Sequence, residues 1–177
     1  MPDDYTKVIA PMGFQKAAIY TIERFNLNQT AEEILAEWNS IAIRHYEKDI
    51  ELKDGAKEYL LFLKNKGVKL AVATASEYRL FSLCLKHHGI LDIFDNITML
   101  TEVSRGKGFP DIHERAAKKM NLKAEECVVF EDIYLGIKGA KDGNFKAVCM
   151  YDKTSEADRE KSIALCDKYI YSFKEMM

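Results

Sequence analysis

At 177 residues, 47% hydrophobic and 31% charged, the chain is long enough for one core domain plus a small appended one, and its composition excludes a disordered polymer. Lysine and arginine number 26 against 28 aspartates and glutamates, a net charge of −2 with no single-sign block, which argues against nucleic-acid and anionic-membrane partners. No apolar run approaches the roughly 20 residues of a membrane span, and Met1-Pro2-Asp3-Asp4 is unlike a secretory signal, so a cytoplasmic location is expected.

Phe14, Ala17, Ala18, Ile22 and Phe25 form a helical stripe over residues 14–26. Thr30 opens a capping box with Glu33, and Ile34, Leu35, Trp38, Ile41, Ala42 and His45 continue down one face of a long helix. Residues 1 to about 48 therefore read as all helix, a hairpin turning at 26–30, with Tyr20, Trp38 and Tyr46 expected to pack within it.

After Asp49 helices and strands alternate. Asp54-Gly55 opens a helix carrying Ala56, Tyr59, Leu60 and Leu63, and Gly67 supplies its left-handed stop. Residues 68–74 (VKLAVAT) read as a strand, and Ser76 as the N-cap of a helix to His88 with Leu80, Leu83, Cys84 and His87 facing inward. A short strand is expected over 97–100, and a helix with Pro110 in its first turn runs to about Met120. The apolar run 127–130 is the next strand, followed by a helix at 135–141 and a strand at 145–150. A last helix over 155–166 and a short strand at 169–171 complete the pattern. Such alternation specifies crossovers on a parallel sheet flanked by helices, an α/β class with a helical appendage in front.

Ligands of such sheets sit beyond the strands' carboxyl ends. Thr74 ends one strand, Glu131-Asp132 end another, and Lys107 lies between them in Gly106-Lys107-Gly108-Phe109-Pro110-Asp111. A hydroxyl, an ammonium and paired carboxylates are what a site holding a phosphate with Mg²⁺ requires. Singly, each has an ordinary explanation: a polar residue leaving the sheet, a solvated lysine, an N-cap or a first-turn charge. Cys84, Cys127, Cys149 and Cys166 lack metal-binding spacing and read as buried free thiols. The histidines show no ligand spacing either, and His113 reads as exposed.

In order, a strand ending in Thr74, a Gly-Lys-x-x-Pro-Asp loop, and a strand ending in Glu131-Asp132 with Gly136 and Ala140 following resemble the haloacid dehalogenase-like superfamily, closest to its helical-cap phosphatases and the β-phosphoglucomutase group. The resemblance implies a Rossmann-like parallel sheet in residues 50–177 and a helical cap in 1–49. It implies that Thr74, with the Ala75 backbone N–H, holds a phosphate oxygen, that Lys107 neutralises the phosphoryl group, and that Asp132 with Glu131 binds Mg²⁺. Gly108 stands where that family usually has proline.

The family's first motif, an apolar strand ending in Asp-x-Asp-Gly, has no counterpart. Asp54-Gly55 precedes a helix with no apolar strand ahead of it, Asp142-Gly143 follows a helix, and Asp3-Asp4 has only two residues before it. The resemblance places that strand centrally, between 68–74 and 127–131. The chain is therefore expected to lack its nucleophile, to bind Mg²⁺ weakly or not at all, to be inactive alone, and to be a fragment. Self-association through the sheet gap is the related expectation for partners, beside a small phosphorylated metabolite as substrate. A non-catalytic module binding a phosphate ester, or a partner on the helical surface 14–48, is the alternative. A dinucleotide-binding domain is disfavoured because no Gly-x-Gly-x-x-Gly follows a strand.

Overall fold

The computed structural model describes residues 2, 4–9, 12 and 14–177; Asp3, weighed above with Asp4, lies outside them. The chain divides into two compact units, Met1–Asp49 and Ile50–Met177.

In the first unit α1 (Tyr5–Ile9) and α2 (Phe14–Phe25) meet where the Tyr5 hydroxyl lies 2.7 Å from Thr21 Oγ1, whose own hydroxyl donates to the Ala17 carbonyl. Asn26, at φ 48°, ends α2. The capping box of α3 (Ala31–Lys48) is formed in both directions: Glu33 N–H donates to Thr30 Oγ1 and Thr30 N–H to the Glu33 carboxylate. Its apolar stripe stops earlier than expected. Ile34 is buried, but Ile41 and His45 are exposed, and His45 turns instead to Asp49.

The second unit opens on Gly55, whose φ of +72° would strain any side chain. A Cβ there would also lie 2.9 Å from the Lys174 main-chain nitrogen. Asp54-Gly55 is thus the seat for the chain's last turn, with Phe173 N–H donating to the Asp54 carbonyl and Lys174 paired to the Asp54 carboxylate. From there α4 (Ala56–Asn65), β1 (Ala71–Thr74), α5 (Tyr78–His87), β2 (Asn96–Met99), α6 (Asp111–Lys119), β3 (Val128–Glu131), α7 (Tyr134–Asp142), β4 (Lys146–Met150), α8 (Arg159–Leu165) and β5 (Lys168–Ile170) follow in turn. Every strand pairing is parallel, and helices flank the sheet. One apolar cluster joins Ala117, Ile137, Ala140, Phe145, Ala147 and Cys149 around α6, α7 and β4. All four cysteines are free thiols; Cys84 and Cys149 are buried, and burial pushes the Cys149 thiol up to about 11. Among the described residues no helix is long and apolar enough to cross a membrane.

The strands form two separate ladders, β1 with β2 and β3–β4–β5, and among the described residues no strand stands between β1 and β3. The two edges have not closed on each other. Burial records the gap: on β4, with a neighbour on both sides, Ala147, Val148 and Cys149 are buried, whereas their register partners Val129, Phe130 and Glu131 on β3 are only partly so.

Several expected boundaries move for identifiable reasons. The first strand begins at Ala71 rather than Val68, because Asp95 bonds both main-chain groups of Leu70 and starts the ladder one residue later, at Ala71 with Asn96. Glu77 rather than Ser76 occupies the N-cap position of α5, without a side-chain cap bond, and Ser76 belongs to the preceding turn, where its N–H donates to Thr74 Oγ1; Phe81 and Ser82 face inward and His87 is exposed. The expected helix over 155–166 is a tight turn at Lys153–Asp158, wound by Asp152 accepting from Thr154, followed by α8.

Candidate functional site

Lys107 and Glu131, far apart in sequence, meet: Lys107 Nζ donates to Glu131 Oε1 at 2.9 Å, with the lysine side chain 28% exposed and the carboxylate 8% exposed. Two glycines on one face of α7 make this approach possible. A Cβ on Gly136 would lie 2.4 Å from Glu131 Cδ, and one on Gly139 would lie 2.4 Å from the Lys107 carbonyl oxygen and 2.7 Å from that of Phe109. The loop is clasped at its ends as well. Arg105 pairs with Asp111 at 2.6 Å, lies over the Phe109 ring, and holds the Asp111 carboxyl below its ordinary range.

Glu131 therefore faces its lysine, while Asp132, the next residue, faces another cation. Asp132 Oδ2 lies 3.5 Å from Lys53 Nζ, which also donates to Asp152 Oδ2 at 2.6 Å and to the Tyr151 carbonyl. The Lys53 ammonium, with the Thr154 hydroxyl and N–H, holds the Asp152 carboxyl well below the usual carboxylate range. Neither Lys53 nor Asp152 was picked from sequence. Asp152 could have been, because it follows the apolar end of β4 as Asp132 follows that of β3.

Thr74 stands at the carboxyl end of β1, and its hydroxyl oxygen accepts from Ser76 N–H at 3.0 Å, shaping the turn that carries Ala75. The acidic doublet does not by itself fit Mg²⁺, which needs oxygen ligands around an octahedron. Each carboxylate is already matched by an ammonium, and among the described residues no group of three or more His, Cys, Asp or Glu side chains is placed to hold a metal ion.

His113, expected at the surface, is 5% exposed. It belongs to the stripe of α6 that buries Ala116 and Ala117, three and four residues on, and its ring lies 5.9 Å from that of Phe145. Burial pushes its pKa below the ordinary value, aided by Lys107 and opposed by Glu131 and the Gly136 main chain. A histidine depressed in the folded state leaves stability complete above its unfolded pKa of about 6.5 and removes it as pH falls from there toward the folded value. The urea midpoint is therefore expected to drop between pH 7 and 5.5, and His113→Leu to flatten that drop.

With this geometry in view, the sequence of residues 4–150 matches the profile of the haloacid dehalogenase-like hydrolases, and the chain belongs to that family. A phosphorylated carbohydrates phosphatase from Thermotoga maritima is 32% identical over 94 residues, covering 53% of this chain and 44% of the relative. A bifunctional riboflavin kinase/FMN phosphatase from Arabidopsis thaliana is 29% identical over 136 residues, covering 76% and 36%. The chain thus spans less than half the length of these relatives. Among solved structures, CbbY from Rhodobacter sphaeroides in complex with phosphate superposes with a TM-score of 0.76 at 21% identity, over 99% of this chain and 80% of that one. A β-phosphoglucomutase from Clostridium difficile gives 0.70 at 17%, over 100% and 78%. At such identities these two show the fold alone.

Proposed function

We propose that residues 50–177 form the phosphate-handling core of a phosphoric monoester hydrolase or phosphomutase acting on a small phosphorylated metabolite, with residues 1–49 as its helical cap. The observation that carries this reading is the Lys107 ammonium fixed by Glu131 at the end of β3. A lysine held by one carboxylate oxygen keeps donors free for a phosphate. Thr74 and the Ala75 N–H contribute from the end of β1, and the named relatives that are phosphatases support the substrate class.

The family's aspartyl-phosphate route uses the first aspartate of an apolar strand ending in Asp-x-Asp-Gly, and this sequence offers no counterpart of that motif. In a site whose parts act as a unit, loss of a nucleophile removes on the order of 10⁶ of the rate. The chain alone is therefore read as inactive, its Mg²⁺ weakly bound or absent, its location cytoplasmic. A non-catalytic module holding a phosphate ester on the same fold is the second reading, favoured by the missing nucleophile. Titration with inorganic phosphate tests this reading: Thr74→Val and Lys107→Met are each expected to weaken binding about tenfold, the worth of one charge-assisted hydrogen bond. Unchanged binding in both variants overturns the site. Turnover of an aryl phosphate above about 1 s⁻¹, an ordinary enzyme rate, overturns the inactivity.

A further inference from the structure

Lys53 stands just ahead of α4 on a fixed stretch of main chain. Its carbonyl accepts from Ala56 N–H, and Asp54 after it is held by Phe173 N–H and by Lys174. From there the side chain reaches residues beyond the carboxyl ends of two neighbouring strands, β3 and β4. The ammonium lies 2.6 Å from Asp152 Oδ2, 3.2 Å from the Tyr151 carbonyl oxygen and 3.5 Å from Asp132 Oδ2. Asp152 is fixed from its other side, because its Oδ1 accepts from the Thr154 N–H at 2.8 Å and from the Thr154 hydroxyl at 2.6 Å.

An ordinary surface ion pair joins one cation to one anion and orders neither strongly. Here acceptors from two strand ends converge on one nitrogen, which has three N–H bonds to give them. Two carboxylates and a main-chain carbonyl around one point are also oxygen ligands of the kind a hard divalent ion takes. A cation supplied by the chain already sits among them.

We propose that Lys53 is a tethered cation standing in for a divalent metal between Asp132 and Asp152, so that this chain's own ammonium closes the acidic end of β3 to Mg²⁺. The mismatch between Asp132 and Mg²⁺ then has a positive cause beyond a shortage of ligands. The ammonium is held in place by the main chain behind it, whereas Mg²⁺ sheds its water reluctantly and would meet a like charge on arrival. Removing that charge reopens the pair. The inference deepens the proposed function at its metal end and rests on that reading for the role of Asp132; titration with a metal alone keeps the two apart, since phosphate takes no part in it.

The test is titration of the full chain with Mn²⁺, the free ion being counted by its electron paramagnetic resonance signal. The parent is expected to bind none up to about 1 mM, the range of weak oxygen sites. Lys53→Met is expected to bind at least about tenfold more tightly than the parent, a modest share of the repulsion between a unit charge and a divalent ion at contact. Lys53→Gln, which keeps a polar tip without the charge, is expected to do the same and serves if the methionine variant does not fold. Lys53→Gln combined with Asp152→Asn is expected to lose the gain. Binding by the parent as tight as by the neutral variants overturns the proposal, as does a gain that survives Asp152→Asn, which places the ion elsewhere.

Discussion

Gly139→Ala is expected to destabilise the Ile50–Met177 unit by about 3 kcal/mol or more, the upper range for forcing atoms into a filled interior. Propensity alone predicts the opposite sign, because alanine in a helix interior is about 1 kcal/mol better than glycine. Contact decides: the new Cβ would sit 2.4 Å and 2.7 Å from two main-chain carbonyl oxygens, and neither can rotate away as a side-chain tip does. The helix must back off β3, or the 107–109 segment must lift, carrying Lys107 from Glu131. Gly136→Ala meets the Glu131 side chain instead, so its cost is expected nearer 1 to 2 kcal/mol, spent mainly on moving that carboxylate. Urea unfolding of both variants checks the order, and a Gly139→Ala protein as stable as the parent would show that α7 does not rest on the lysine loop.

These glycines mark where sequence reading succeeded and where it ran out. Strand ends are legible because an apolar run halting on polar residues is a local signal: Thr74 and Glu131-Asp132 stand at strand ends in the structure. The capping box of Thr30 and Glu33 is local too, and it is formed. What the sequence could not show is partnership. That Glu131 turns to Lys107 while Asp132 faces Lys53 depends on which loops a crossover brings back, and no spacing records it. His113 was within reach, since it precedes Ala116 and Ala117 at helical spacing, but a histidine between acidic and basic neighbours reads as solvated until α6 is seen packed. That β1 and β3 stand in separate ladders among the described residues is a tertiary outcome, which no local pattern records.

The Lys107–Glu131 pair separates stability from binding in a way one double-variant cycle can measure. Removing one partner of a buried pair leaves an uncompensated charge and costs about 3 to 5 kcal/mol when burial is complete. Here the carboxylate is buried but the lysine is 28% exposed, so water reaches one side and the expectation for Lys107→Met falls to about 2 to 3 kcal/mol. Replacing both charges with apolar groups of similar volume removes that penalty, so Lys107→Met with Glu131→Leu is expected to return to within about 1 kcal/mol of the parent. Phosphate binding should not return with it, because the ammonium is gone in both. Unfolding midpoints give the first comparison and phosphate titration the second. Strictly additive stabilities would mean the two side chains do not depend on each other, and phosphate bound as tightly by the double variant as by the parent would remove Lys107 from the site.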